Sequence, residues 1–261
     1  MRSSRVWLVI AALVGATLLA LAQQAPSPEE EVARQKKLIL EQSGILPGEL
    51  YAAQGEDLFK KKRGPNNVSL EGCDFGLGAG KTEGAYAELP RYFADTNRVE
   101  DLDTRIVTCM VSLQGFKAAD IKRSDVVAIA AYVASKSNGR PVKVRLDDVK
   151  EVAVYAMGKQ LWYTRAGAQD FSCAVCHETN GGKRIRLQRL ALVQADKVAS
   201  HWPAYRFSND QLWTMEDRIR GCYKQTRVTE PNYYSDAIIA LSLYMSVAAN
   251  GADVDAPGFV R

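Results

Sequence analysis

The chain has 261 residues, 47% of them hydrophobic and 25% charged, with five cysteines and two histidines. That apolar share supplies a buried core, and about 240 residues after a leader suit two small domains. The formal charge of +4, near +2 without Arg2 and Arg5, is too mild to point to nucleic acid or to a membrane surface as partner.

Arg2 and Arg5 lead into an apolar run over residues 6–21, and Ala20-Leu21-Ala22 precedes a polar Pro/Glu segment. This is a charged n-region, an h-region and a small-x-small site, so residues 1–22 read as a signal peptide cleaved after Ala22. The mature protein is then expected in the periplasm. No later apolar run reaches the roughly 20 residues that a membrane span needs, so none is expected after cleavage.

Two series of landmarks follow. The first runs G-E-D-L-F (55–59), L-E-G-C around Cys73, R-I-V-T-C (105–109), and an apolar helical stretch from Ser124. The second runs G-K-Q-L-W (158–162), F-S-C-A-V-C-H (171–177), R-I-R-G-C (218–222), and an apolar stretch from Ser235. Each apolar stretch begins Ser-Asp and carries Tyr132 or Tyr244. Four landmarks in one order indicate a duplicated domain and not a solenoid. Residues 23–136 form the first copy and 149–261 the second. Residues 137–148, where Asn138-Gly139 and Pro141 break the preceding helix, read as the linker. Each copy reads as a helix at G-x-x-L-[FW], a helix carrying R-I-x-x-C, and an apolar closing helix. The expected fold is mainly α, with two tandem cytochrome c-like domains.

Cys173-Ala174-Val175-Cys176-His177 is a C-x-x-C-H run, the pattern of covalent haem attachment. Two thiols at this spacing form thioethers to the haem vinyl groups and place His177 beneath the iron as proximal ligand. No second C-x-x-C completes a zinc site, and no βαβ pattern flanks a redox pair. For the distal ligand the chain offers His201, Met215, Met245 and Cys222; Met245 lies in an apolar helix and reads as core.

The first copy keeps Cys73 but has neither the second cysteine nor a histidine. Only the C-terminal domain is therefore expected to bind haem. Cys73 and Cys109 occupy positions that would converge on one pocket, and in an oxidising compartment they are expected to form a disulfide. Closing a loop of about 36 residues is worth roughly 4 kcal/mol on chain-entropy grounds. Cys222 is the counterpart of Cys109, which places it at the pocket of the surviving haem. Arg218, four residues earlier on the same helical face, favours its thiolate. Arg220 and Lys224 add charge nearby. Lys183, Arg184, Arg186 and Arg189 form a second basic run, either a solvated face or a docking surface.

The tandem domains, C-A-V-C-H, H-W-P-A-Y-R (201–206) and R-I-R-G-C-Y (218–223) together resemble SoxA, the cytochrome subunit of the SoxAX complex of bacterial thiosulfate oxidation. The resemblance spans essentially the whole mature chain. It implies that Cys173 and Cys176 attach one haem, His177 is its proximal ligand and Cys222 its distal ligand. Cys222 is further implied to be the catalytic residue, as a persulfide, with Arg218 binding substrate. The departure at Cys73 matches the single-haem type, in which a disulfide replaces the first haem. The implied reaction joins thiosulfate oxidatively to a cysteine of the carrier protein SoxYZ, and the electrons leave through haem to SoxX, a small cytochrome c. The alternative is a periplasmic monohaem electron carrier with no catalysis of its own. His201 reads as structural, in a rigid turn with Trp202 and Pro203, and Arg206 as a candidate partner of a haem propionate.

Overall fold

A computed structural model describes residues 27–185 and 188–261, so the expected signal peptide (1–22) and Arg186 lie outside the described residues. The helices are α1 (Pro28–Ser43), α2 (Pro47–Lys60), α3 (Leu102–Ser112), α4 (Arg123–Ser135), α5 (Val149–Tyr163), α6 (Met215–Gln225) and α7 (Asp236–Ala248). Short strands are β1 (Arg91–Phe93), β2 (Arg98–Glu100), β3 (Arg184–Ile185), β4 (Gln188–Arg189), β5 (Ala204–Arg206), β6 (Gln211–Trp213) and β7 (Gly258–Val260). No described helix is long and apolar enough to cross a membrane.

The repeat is visible in the packing. In the first copy α2 crosses α4, and in the second α5 crosses α7. Each crossing is closed by a glycine. A Cβ at Gly55 would strike the main-chain oxygen of Ala128, and one at Gly158 that of Ala240. A mid-helix glycine costs about 1 kcal/mol against alanine, and here it lets two backbones approach. One turn on, Phe59 meets Tyr132 at 5.3 Å between ring centroids, and Trp162 meets Tyr244 at 5.5 Å.

Residues 90–109 and 203–222 match without a gap, further than the R-I-x-x-C landmark alone discloses. Both contain a hairpin of one register, with Arg91 opposite Glu100 and Ala204 opposite Trp213. Both hairpins turn at a left-handed residue, Asn97 (φ 54°) or Asp210 (φ 53°), types that tolerate this conformation. Both then start a helix, α3 with Asp101 and α6 with Thr214 as N-cap. In the first copy a Cys73–Cys109 disulfide, with Cα atoms 5.7 Å apart, ties the loop before the hairpin to α3. Phe75 and Leu70 are fully buried beside it, and Phe75 lies 6.2 Å from Phe59.

Residues 137–148 run between the copies as a packed strap. Val142 N–H donates to Ala252 O (2.8 Å), Val144 N–H to Asn250 Oδ1 (2.8 Å), and Gly251 N–H to Val142 O (3.0 Å). β7 adds in parallel to β5, and Pro257 packs on Gly48 of α2.

The N-termini of α3 and α6 meet at a buried polar cluster. Arg123 Nη2 donates to Asp103 Oδ2 (2.7 Å), Thr214 Oγ1 (2.6 Å) and Asp217 Oδ2 (3.0 Å). Glu216, 1% exposed, accepts the Tyr234 N–H at 3.2 Å and lies 4.0 Å from Arg123. Burial pushes the Glu216 carboxyl far above the usual carboxylate range, and the neighbouring charges of Asp101 and Asp103 push the same way. The folded protein thus keeps a proton that the unfolded chain releases above about pH 4.5. Stability from this group is greatest in acid and falls as pH rises, by at most about 1.4 kcal/mol per unit. Glu216→Gln should be close to neutral below about pH 4, should become more stable than wild type as pH rises, by up to about 3 kcal/mol at pH 7, and should flatten that fall. Urea melts at pH 5, 7 and 9 test this; a loss of several kcal/mol at pH 7 would mean that the carboxylate is charged.

Candidate active site

The C-x-x-C-H run starts at Cys173 and ends inside a wide helical turn, Val175–Thr179, in the loop that follows α5. Ser172 Oγ accepts the Val175 N–H (3.2 Å), and Asn180 Nδ2 donates to Val175 O (2.8 Å), pinning both ends. His177 Nδ1–H donates to Ala191 O at 2.8 Å. This fixes the tautomer and leaves Nε2 as the free acceptor, the usual arrangement of a metal-ligating imidazole. The Trp162 ring stands 5.7 Å from that of His177, and its Nε1–H donates to Glu178 Oε1 (2.7 Å). A cavity of about 370 Å³ opens beside His177, lined by Trp162, Leu192, Val193 and Tyr244 among others.

Helix α6 brings the second half of the site. Thr214 and Asp217 form a capping box, with Thr214 N–H donating to Asp217 Oδ2 at 2.8 Å, and Arg218 and Cys222 follow one turn apart. The Cys222 thiol lies near enough to His177 for the two groups to perturb each other's titration. Burial pushes this thiol up, but the Arg218 charge, the His177 contact and the Arg206 charge outweigh it and bring it down to about 7. Cys173 and Cys176 are both free and half-buried. Burial pushes the Cys173 thiol up to about 12, and the charge of Cys222 adds to the effect.

Of the four distal candidates, only Cys222 meets His177. Met215 lines a small cavity between the copies with Asp103 and Glu216. Met245 is core. The main chain of His201 packs on Gly258, and burial holds its ring below the usual histidine range.

The basic residues divide differently from the sequence expectation. Arg220 pairs with Glu230 (2.9 Å), donates to Pro231 O and lies 4.1 Å over the Tyr233 ring. At about 100° per residue, two positions carry it to the far side of α6 from Arg218. Lys224 is exposed. Lys183 is bonded to Asn180, and Arg189 is paired with Asp196 at 2.7 Å. The cation whose charge is felt at the thiol, besides Arg218, is Arg206 on β5.

The two copies treat their shared arginine in opposite ways. Arg105 is paired with acids: Nε donates to Asp74 O (2.6 Å), Nη1 to Asp95 (3.0 Å) and Glu100 (3.4 Å), and the guanidinium lies 4.0 Å over Phe93. Arg218 Nη1 is buried with no hydrogen-bond partner among the described residues. At the matching positions Ser208 replaces Asp95, Trp213 replaces Glu100 and Arg206 replaces Phe93.

The donor set fits a c-type haem. Two free thiols sit one turn apart, an imidazole is oriented with one nitrogen free, a third sulfur lies near it, and a mainly apolar cavity opens beside the imidazole.

Comparison with known proteins agrees. Residues 54–142 and 157–254 match the family model of the SoxA/TsdA cytochrome c domain. The chain is 52% identical over 255 residues to the L-cysteine S-thiosulfotransferase subunit SoxA of Hydrogenobacter thermophilus, covering 97% of both chains. It is 40% identical to the subunit of the same name from Hydrogenophilus thermoluteolus, again over 97% of both. The crystal structure of SoxXA from P. pantotrophus superposes with a TM-score of 0.73 at 26% identity, over 82% of this chain and 79% of that one. Mainly helical, twice matched to a cytochrome c domain that carries a c-type haem, the chain belongs to the SoxA family.

Proposed function

We propose that the protein joins thiosulfate oxidatively to a cysteine of the carrier SoxYZ, working in the periplasm in complex with the small cytochrome SoxX. One S–S bond forms between the outer sulfur of thiosulfate and the carrier sulfur, and two electrons and one proton are released. Residues 149–261 form the haem domain, 23–136 the haem-less one, and 137–148 the connection. Support for a single haem comes from the first copy, which has no histidine and commits Cys73 to a disulfide.

Cys173, Cys176, His177 and Cys222 would hold a c-type haem, which would supply one-electron steps toward SoxX. Cys222 carries the reacting sulfur, as a persulfide. A thiol brought down to about 7 is partly thiolate at neutral pH, which is the nucleophilic form. Arg218 receives the anionic end of thiosulfate. Its buried Nη1 has a donor to spare, and a charge-assisted bond made away from bulk water is stronger than one at the surface. That free donor beside a sulfur facing His177 is the observation that carries the reading, because a plain electron carrier has no use for an anion site at its ligand.

The intact mass of the purified holoprotein, before and after reductant, tests this. One haem, one disulfide and a reductant-labile extra sulfur of about 32 Da on Cys222 are expected. A Cys222 that alkylates freely while the haem spectrum stays unchanged would sink the assignment.

A further inference from the structure

We infer that Arg206 is a second substrate-binding residue, which forms with Arg218 a two-guanidinium clamp for the oxygen-bearing, doubly charged end of thiosulfate. This rests on the reading of Arg218 and Cys222 given above and deepens it.

The argument starts from the internal repeat. The hairpins before α3 and α6 share one register, so Arg206 stands where Phe93 stands, and Phe93 lies 4.0 Å beneath the guanidinium of the matching arginine, Arg105. In the haem-less copy that arginine is neutralised by Asp95 and Glu100. In the haem copy both carboxylates are gone, and a guanidinium has taken the place of the ring. Buried positive charge has been gathered and its counter-ions removed, an arrangement costly to fold unless an anion completes it. Arg206 is 6% exposed and donates to an oxygen of Arg261 (3.1 Å), the last residue of the sequence, and to Gln188 (3.5 Å); among the described residues no acidic side chain pairs with it.

Its surroundings place it against α6 beside Cys222. The guanidinium stacks 4.4 Å over Trp213, the residue that replaced Glu100. Trp213 reaches α6 at Gly221, where a Cβ would lie 3.1 Å from the indole ring. Gly221 immediately precedes Cys222 and stands where the first copy has Thr108, whose hydroxyl donates to Glu100 (2.9 Å). Glycine thus makes room for the indole that carries Arg206. Two planar, permanently charged forks match the three oxygens of a sulfonate better than one. The expected preference is for dianionic tetrahedral oxoanions over monoanions.

The test uses the holoprotein in complex with SoxX and the variants Arg206→Phe, Arg206→Gln, Arg206→Lys and Arg218→Gln. Phenylalanine is the residue of the other copy, so the hairpin has a packing solution for it. Where Arg206→Phe does not load haem, Arg206→Gln gives the same readout. Thiosulfate affinity is measured by titration calorimetry, and KM and kcat by steady-state assay, with sulfate as competitor. Loss of the charge should raise Kd and KM at least about tenfold, with kcat changed by less than about threefold. Competition by sulfate should weaken in parallel, and lysine should restore most of the affinity. If Arg206→Phe and Arg206→Gln bind thiosulfate like wild type while Arg218→Gln does not, the clamp is overturned and the role of Arg218 stands. If none of the three affects binding, the anion site itself is overturned. A shifted haem potential with thiosulfate affinity unchanged would instead assign Arg206 to a haem propionate.

Discussion

Cys222→Ala should abolish thiosulfate-dependent electron release to SoxX, lowering kcat/KM by about a thousandfold or more. No other sulfur beside His177 is free to replace it if, as proposed, Cys173 and Cys176 attach the haem. The fold should survive. Helix α6 keeps its capping box and its buried Ile219, and Cys222 contributes no hydrogen bond to the core beyond its contact with His177. Haem should stay attached, with a spectrum altered by loss of the sulfur ligand. The assay pairs turnover with circular dichroism and haem content. A folded, haem-loaded Cys222→Ala protein with full turnover would refute the catalytic role.

The second large effect is on stability. Removing the disulfide by Cys73→Ala together with Cys109→Ala should cost roughly 4 kcal/mol, because the bond closes 36 residues of chain. For a protein of this size that corresponds to a drop in Tm of about 10 °C. Both sulfurs are buried at the centre of the first copy, next to Phe75 and Ile106, so small cavities add to the entropic loss. Haem content should be unaffected, since attachment takes place in the other copy. Thermal melts of wild type and the double variant, with and without reductant, measure this. A difference below about 2 °C would show that the bond contributes little.

What the sequence disclosed and what it concealed divide by distance along the chain. C-x-x-C-H and R-I-x-x-C are local patterns whose spacing is itself the chemistry, so both were legible. The hairpins before α3 and α6 were not, because across them the copies share little beyond a proline and a tyrosine, Pro90 and Tyr92 against Pro203 and Tyr205. Their likeness lies in backbone register and in left-handed turns at Asn97 and Asp210. Arg206 was hidden for the same reason: only alignment with Phe93 brings it next to Arg218. Arg220 misled in the opposite direction, since closeness in sequence to Cys222 concealed its place on another side of α6. Residues 137–148 carried the marks of a linker, yet Gly139, Val142 and Val144 bond to residues more than a hundred positions away. Helix α1 gave no signal at all, being polar and having no buried residue.

The meeting of α3 and α6 has one more implication. Thr214 and Asp217, which begin α6, are held by Arg123 and Asp103 of the first copy. A helix clamped at its first turn has its rotational phase set there, and an error of one residue would swing everything downstream by about 100°. The first copy therefore acts as a gunsight for the second: with its own pocket closed, it still determines where Arg218 and Cys222 point.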